Sequence, residues 1–496
     1  MHFDASGSYL VSRRRLLVLG GALGLPLACS RGVFASFGEE TYDLSCKSTL
    51  AEFRRVKVVV ESSGKLLVRP AAGVANGRVV NQEEAPLRPV PFELEVTQLF
   101  DERLMDQSEQ MLQSLRYYRN VEGTMKVAQL TTTPALADTR KWIASRVDAE
   151  GRAYFSPVEP LKREELELVD IPANALVLQR LAPTKPVKIG ETWRHDNSVL
   201  EALLAIDKIL EQKDVKSQLV EVKDQVAIIS FTGAIVGSVQ SAKTEMQLQA
   251  KYNVDLKNHE VTWFALGMSE KREVSAAQPG FESTVRIRLA TMPIDPPAEL
   301  SDANRDRMDF SDPLHGKILT FESTKGGFRF LHDNRWFTMV DRADGSVLRL
   351  VDRGDVVAQC TIVDLPKLSP GQRTSLNALQ ADVQAKLGKT FQAIVEASES
   401  TTESGMTLQR VVASALADDV PVTWIHYLAI ADDGRRVSLR FTHDVNLAER
   451  FAAADVTIAS SLQLIEKEKP TGSSAATTKP ADASGAQTSS LKSAVK

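Results

Sequence analysis

The sequence predicts an α+β fold in which antiparallel strands dominate and a few helices pack against the sheets. Runs of alternating apolar and polar residues recur along most of the chain, turn residues separate them, and a few stretches have helical periodicity instead. With 496 residues and 43% hydrophobic content, the chain is too long for one ordinary core. We therefore predict two domains, residues 39–291 and 316–467.

The first domain is predicted to contain a hairpin, two helices and an antiparallel meander. The runs Arg55–Glu61 and Lys65–Val68 alternate on either side of Ser62–Gly64, which predicts a hairpin. Helical periodicity covers residues 161–181 and 199–210. Four later alternating runs are joined by short polar turns and predict the meander: residues 215–221, 225–231, 245–252 and 261–264.

A proline-rich segment, residues 292–315, is predicted to be a stiff, exposed linker between the domains. In the second domain, the pattern after Ser369 predicts a helix that carries Leu376 to Leu387 and ends at Gly388. A hairpin across residues 432–434 and a final helix near residues 455–464 follow. Residues 468–496 have almost no apolar bulk and are predicted to be a disordered tail.

The first 35 residues have the pattern of an export signal. Arg13–Arg15 precede the apolar run Leu16–Ala28, which is too short to span a bilayer, and small residues follow near Ala35. The twin-arginine route and the ordinary secretory route both fit this pattern. We expect a bacterial-type exported protein, periplasmic or otherwise extracytoplasmic, with no transmembrane segment in its mature chain.

Three cysteines bear on anchoring and cross-linking. Cys29 stands where a lipoprotein acceptor would be, but Pro26 replaces the Leu or Val that such a signal prefers, so the sequence argues against a lipid anchor. Cleavage after Ala35 would leave Cys46 and Cys360. Export permits a disulfide between them, but cysteines in separate strand patterns are more often buried thiols, which we expect here.

The second domain resembles the PsbP-like fold. The residues that carry the resemblance are Gly327–Phe330 with Trp336, Trp424–Tyr427, the turn Asp433–Gly434, residues 437–441 and the closing residues Ala459–Leu462. The resemblance covers residues 316–467 and implies an antiparallel sheet covered by helices on both faces. It also implies a docking module for larger assemblies that has no catalytic residues.

The first domain looks like part of a family of exported bacterial proteins without an assigned function. The residues that suggest it are Leu181–Trp193, in which Pro183, Pro186 and Gly190 would fix a turn and Trp193 would pack behind it. This resemblance implies no chemistry.

No catalytic, metal-binding or cofactor-binding motif is visible in the mature chain. It has no Gly-x-Ser-x-Gly elbow, no phosphate-binding glycine loop, no His-Glu-x-x-His and no close cysteine pair. We therefore predict no catalytic residue, no metal and no cofactor. Sixty basic residues against sixty-four acidic ones also give no electrostatic reason to bind nucleic acid.

Three side chains are candidates for a binding surface: Trp336, Trp424 and His426. Alternation places Trp424 and His426 on one face of a strand, with Tyr427 on the other. Each of the three also has an ordinary interpretation as a core residue, which the sequence favours.

Three functions follow from these observations. The leading hypothesis is a non-enzymatic, extracytoplasmic binding or scaffolding protein whose second domain docks on a protein partner in the cell envelope. The first alternative is a carrier that encloses an apolar small ligand in the first domain. The second is a hydrolase, which requires some of the following histidines to converge with carboxylates in one cleft: His195, His259, His332, His426 and His443.

Overall fold

A computed structural model describes residues 40–46, 53–68, 74–75, 78–79, 86–108, 110–275, 278–310, 316–369, 372, 374–417 and 420–467. The predicted export signal with Cys29, the last part of the predicted linker and the predicted tail lie outside these residues.

The first half of the described chain is built on one large antiparallel sheet. Its strands and those paired beside it are β1 (Thr41–Tyr42), β2 (Phe53–Val68), β3 (Val74–Ala75), β4 (Arg78–Val79), β5 (Arg88–Gln107), β6 (Leu112–Val127), β7 (Leu130–Thr132), β8 (Trp142–Asp148), β9 (Gly151–Phe155), β10 (Val187–Lys188), β11 (Thr192–Trp193), β12 (Lys208–Lys223), β13 (Val226–Val239), β14 (Ala242–Asp255), β15 (Glu260–Arg272) and β16 (Gly280–Pro293). The sheet has the order β11-β12-β13-β14-β15-β16-β2-β5-β6-β8-β9, with β7 paired to β6, while β1–β10 and β3–β4 form separate pairs. The predicted meander is confirmed by strands β12 to β15.

Alternation gives this sheet one apolar face, which packs against short helices. In β14 every second side chain from Ala242 to Val254 is buried, and the side chains between them face outward. The helices of this half are α1 (Arg163–Val169), α2 (Asn197–Leu204) and α3 (Asp302–Arg305), with a 3₁₀ turn at Ala175–Leu181. Leucines of α2 and of the 3₁₀ turn join the apolar core.

The second half contains a seven-stranded and a three-stranded antiparallel sheet. Its elements are β17 (Ile318–Ser323), β18 (Phe328–Asp333), β19 (Trp336–Arg342), β20 (Gly345–Asp352), β21 (Asp355–Leu365), α4 (Leu376–Leu387), β22 (Phe391–Thr401), β23 (Thr407–Ala417), β24 (Val420–Ile430), β25 (Arg436–Asp444), α5 (Ala448–Phe451), α6 (Ala454–Ser460) and β26 (Gln463–Leu464). The orders are β19-β20-β21-β25-β24-β23-β22 and β17-β18-β26. The predicted hairpin across residues 432–434 is confirmed by β24 and β25.

Two apolar clusters lie on opposite faces of the seven-stranded sheet. One contains Phe328 and Phe330 of the three-stranded sheet together with Trp336, Phe441 and residues of α6. The other forms where α4 packs on β22 and β23 and contains Leu379 and Val383.

The two halves are joined through the start of α1. The Thr320 amide donates to the Leu161 carbonyl at 2.8 Å, and the Lys162 ammonium lies 3.1 Å from the Glu322 carboxylate. The Arg163 guanidinium donates to the carbonyls of Asn334 and Trp336. All described residues from Thr41 onward belong to one compact unit.

The described part of the predicted linker lies on the first sheet. Leu300 is fully buried, and its carbonyl accepts from the Arg103 guanidinium at 3.0 Å. The Trp142 indole donates to the Glu299 carbonyl at 3.2 Å. Residues 298–305 are therefore held by side chains of the first half.

The predicted α+β class is wrong, because the molecule is strand-dominated with large antiparallel sheets. The prediction overestimated both helical stretches of the first half. The residue before a proline avoids the helical region, so Pro172 separates α1 from the 3₁₀ turn. Helix α2 ends at Leu204, where Ala205 takes a φ of 57°, and strand alternation resumes at Lys208.

The predicted cover of helices on both faces of the second sheet is also wrong. One face of the seven-stranded sheet packs mainly against another small sheet, whose aromatic side chains supply the apolar surface. On the opposite face, α4 packs on β22 and β23.

The predicted hairpin at Ser62–Gly64 is also wrong, because β2 runs straight through these residues. Gly64 pairs with Ser283 on one side and with Phe92 on the other. A Cβ atom on Gly64 would lie 2.0 Å from the Glu282 carbonyl oxygen. The glycine therefore permits a close approach of strands and does not make a turn.

A buried ion network joins β2, β5 and β6 on the apolar face. The Glu102 carboxylate accepts from Arg54 at 2.7 Å, from Arg116 at 2.7 Å and from the Ser114 hydroxyl at 2.8 Å. The Arg116 guanidinium also donates to the Asn174 side-chain carbonyl at 2.7 Å. Burial would raise the pKa of Glu102, but the two guanidiniums outweigh it and lower the pKa to about 2.

A second network lies on the opposite face of the same strands. The buried Asp101 carboxylate accepts from Arg55 at 2.7 Å and from Arg119 at 2.5 Å. The Arg119 guanidinium also lies 3.4 Å from Glu299 in the segment that covers this face. Two adjacent acidic residues of β5 therefore each bind two arginines, one pair on each face of the sheet.

We predict that Glu102→Gln lowers the free energy of unfolding by about 3 kcal/mol, because it leaves two buried guanidiniums without their counter-ion. Denaturation in urea measures this change. Glu95→Gln, on the exposed face of the same strand, is the control and is expected to change it by less than about 0.5 kcal/mol. Because the pKa of Glu102 falls from 4.5 to about 2 on folding, its contribution is present above pH 4.5 and is lost as the pH falls toward 2. A Glu102→Gln chain as stable as the control would contradict the assignment.

Cys46 and Cys360 are free thiols, and burial raises the pKa of both, that of Cys46 to about 12. We predict that neither reacts with iodoacetamide at neutral pH in the native chain from Ser36 onward, because the thiolate is the reactive form. Mass spectrometry after unfolding without a reductant should show both alkylated. Protection that ends only when a reductant is added would show a disulfide.

Candidate functional site

One face of the seven-stranded sheet packs against α4 at β22 and β23. On the same face of β25, β21 and β20, the side chains are half-exposed. Antiparallel pairing places residues of these strands side by side in rows. Trp424 lies opposite Thr442, which lies opposite Gln359, which lies opposite Arg349. The next row contains His426, Arg440, Thr361 and Val347. We call these eight residues the open face.

The first row ends at Phe337, where the second sheet contacts the first half of the chain. Phe337 lies opposite Arg349 on the outermost strand, and the Arg163 guanidinium lies 4.6 Å from the centre of its ring. The open face therefore extends from the edge of α4 to the joint between the halves.

The open face carries two positive charges, and Asp444 lies beyond it on β25, in the row after Trp424 and Thr442. Within the described residues, neither the Arg349 nor the Arg440 guanidinium has a hydrogen bond or an ion pair, and none of the eight residues carries a carboxylate. The acid nearest to His426 on α4 is Asp382, which is paired with Lys386 at 2.6 Å. Two guanidiniums are thus available to an external anion.

His426 lies at the buried edge of the open face. Its Nε2 is 2.8 Å from the Ser438 hydroxyl, and the residue is 5% exposed. Burial and, to a smaller extent, the positive charges of Lys386 and Arg440 together lower the pKa of His426 to about 4, while Asp382 opposes them. This imidazole is therefore a neutral hydrogen-bonding group at physiological pH.

The structure brings Trp424 and His426 together and separates Trp336 from them. Trp336 lies on the opposite face of the sheet, is 1% exposed and packs edge-on against Phe441 with 5.9 Å between ring centres. The sequence analysis missed Arg440, which pairs with His426 across the β24–β25 hairpin. It also missed Arg349, which only the strand order places in the same row as Trp424.

The five candidate histidines lie in different places among the described residues. His332 and His443 each contact the carbonyl of the following aspartate through Nδ1, at 2.8 and 2.9 Å. The His259 ring contacts the Ser45 carbonyl at 3.1 Å. His195 belongs to the core of the first sheet and His426 to the second. The described residues contain no group of His, Cys, Asp or Glu side chains able to hold a metal ion.

Two Ser–His contacts resemble part of a catalytic dyad, His426–Ser438 described above and His195–Ser217, and the sequence analysis missed both serines. The His195 Nε2 lies 2.8 Å from the Ser217 hydroxyl, and the Tyr252 hydroxyl lies 3.1 Å from that serine. Ser217 is fully buried, and burial lowers the pKa of His195 to about 4. A nucleophile needs access to its substrate, so this arrangement supports core hydrogen bonding.

The segment Leu181–Trp193 closes over the same buried cluster. The Trp193 indole and the Tyr252 hydroxyl both donate to the Leu181 carbonyl, at 2.9 and 3.0 Å. Gly190 takes a φ of 89°, which a residue with a side chain rarely adopts. Trp193 is half-buried against the core, as the sequence predicts.

The carrier hypothesis needs a connected apolar volume, and one cavity in the described part of the first sheet is polar. This groove of about 290 Å³ is lined by Glu61, Ser62, Ser63, Glu93, Leu94, Glu95, Thr124, Lys126, Thr284 and Arg286. Carboxylates, hydroxyls and two basic groups dominate its walls, which suits a hydrated solute better than an apolar ligand.

Within the described ranges, no helix has the length and apolar character needed to cross a membrane. No family model matches the chain, and no curated protein matches it.

Two of the solved structures that are similar to this chain both align with low scores. The cyanobacterial PsbP of Synechocystis sp. PCC 6803 aligns with 15% identity over 30% of this chain and 92% of its own, at a TM-score of 0.25. Lipovitellin, in a structure concerned with its lipid–protein interactions, aligns with 8% identity over 51% of this chain and 26% of its own, at a TM-score of 0.27. At these scores neither alignment establishes a fold or a function, and the family resemblance stays a prediction.

We predict that the imidazoles of His195, His332 and His426 stay neutral down to about pH 5, because burial lowers the pKa of each to about 4. Nitrogen NMR of histidine-labelled protein measures their protonation. The unfolded chain in urea is the control and should titrate near pH 6.5. Since the unfolded state takes up protons first, the free energy of unfolding should fall as the pH drops from 6.5 to 4. A midpoint near 6.5 for His426 in the folded protein would contradict its assignment as a buried group.

Proposed function

We propose that this protein is a non-enzymatic, extracytoplasmic binding or scaffolding protein that docks on a protein partner through the open face. The observation that carries the proposal is a half-exposed sheet face with two unpaired guanidiniums, Arg440 one strand from Trp424 and Arg349 three strands from it. Arginine and tryptophan are enriched at the energetically important positions of protein interfaces.

The arrangement of reactive side chains supports a binding role over a hydrolytic one. Among the described residues, two candidate histidines contact a serine hydroxyl, His195 with Ser217 and His426 with Ser438, and each is buried together with its serine. The arginine-rich N-terminal signal supports export, and the resemblance to the PsbP-like fold implies docking. The open face supplies a defined surface for that role.

We predict that a photoreactive amino acid at Thr442 captures one partner protein in intact cells, because this position lies between Trp424 and Gln359 on the open face. The same photoreactive amino acid in place of Ser269, on the exposed face of β15, is the matched control. Thr361→Trp, which fills the centre of the open face, should abolish the adduct formed from Thr442. Thr284→Trp, on the exposed face of β16, should leave it intact.

The expected result is a reproducible adduct of one mass from Thr442 that Thr361→Trp removes. An identical adduct pattern from Ser269, or an adduct from Thr442 that survives Thr361→Trp, would overturn the proposal. Circular dichroism of both tryptophan variants checks that each is folded.

A further inference from the structure

The two unpaired guanidiniums of the open face have a fixed spacing. Arg440 lies on β25 and Arg349 on β20, with β21 between them, and their rows are two residues apart. Neighbouring strands are about 4.8 Å apart and each residue advances about 3.4 Å, which places the two Cα atoms about 12 Å apart. Both side chains project from the same face of the sheet.

The residues between the two guanidiniums are polar and neutral. Gln359 and Thr361 of β21 occupy the space between them, with Thr442 beside Trp424. These amide and hydroxyl groups can donate to and accept from a peptide backbone. The surface therefore combines two positive charges at its ends with hydrogen-bonding groups at its centre.

Resting on the proposed function, we propose that the partner contacts the open face with an extended acidic segment that carries carboxylates four residues apart. Carboxylates at positions i and i+4 of an extended chain lie on the same side, about 13 Å apart. That separation matches the two guanidiniums, each of which can bind a carboxylate through two parallel hydrogen bonds.

The observations favour a protein segment over nucleic acid or an anionic membrane. Both of those bind through many basic residues over a broad surface, whereas the open face offers two guanidiniums and the whole chain has a net charge of −4. A short acidic segment needs only the two contacts and the neutral groups between them.

Fluorescence anisotropy with the full chain tests this inference. The probe is a dye-labelled peptide of Glu, Ser and Thr with glutamates at every fourth position, and the reference peptide has the same composition with its glutamates adjacent. We expect the spaced peptide to bind about tenfold more tightly. Arg349→Glu/Arg440→Glu should remove this preference and should bind a peptide with lysines at every fourth position instead.

The matched control is Lys216→Glu/Lys251→Glu, which makes the same change in charge at two exposed positions of the first sheet, away from the open face. It should keep the preference for the spaced glutamates. Equal binding of the two acidic peptides, or equal loss in both double variants, would overturn the inference. Tighter binding of a DNA duplex or of phosphatidylglycerol vesicles that depends on Arg349 and Arg440 would also overturn it.

The outcome separates the inference from the function on which it rests. An adduct at Thr442 without a preference for spaced glutamates would leave the docking role standing and refute the acidic segment. A spaced-peptide preference without an adduct in cells would refute the docking role and show only the chemistry of the face.

Discussion

The adjacent carboxylates Asp101 and Glu102 fix the register in which strands β2, β5 and β6 pair. The other strands of the first sheet are added on both sides of these three. A slip of one residue would place Val56 opposite Asp101 and would turn the apolar side chains of β2 toward solvent. The buried Asp101 carboxylate would then lose the guanidinium that β2 supplies, at a cost that desolvation makes large. The same networks hold residues 298–305 on the outer face through Arg119 and Glu299. Register and the path of the connecting segment therefore depend on the same few charges.

Alternation along the chain was enough to predict the meander β12–β15 and the hairpin β24–β25, because these strands pair with their neighbours in sequence. Prediction from alternation failed where one sequence pattern is compatible with two structures. Ser62–Gly64 has the composition of a turn, yet Gly64 is present because a neighbouring backbone passes too close for a side chain. The helical stretches failed because periodicity does not show where Pro172 or a left-handed Ala205 ends a helix. The α+β prediction was wrong through the sum of these local errors.

The candidate site was predictable only within one strand. Trp424 and His426 share a face because alternate residues of a strand do so. Arg440 joins them from the sequence-adjacent strand, whereas Arg349 does so only because β21 lies between β20 and β25. The Ser217–His195 contact was invisible because it depends on how β12 pairs back onto β11 after helix α2. Trp336 shows the reverse case, an aromatic residue of similar appearance that register and packing place in a core.

Elsewhere in the described structure, several arginines near the sheets have acidic partners, whereas Arg349 and Arg440 of the open face have none. Arg54 and Arg116 share Glu102, Arg55 and Arg119 share Asp101, and Arg410 contacts both Glu396 and Asp455. A guanidinium that water can reach needs no such partner for stability, so pairing is not required on the open face. Arg349 and Arg440 nevertheless lie on ordered strands among neutral groups, so little backbone conformational entropy is lost when an anion binds them. A surface of this kind contributes little to folding and is already organised for recognition.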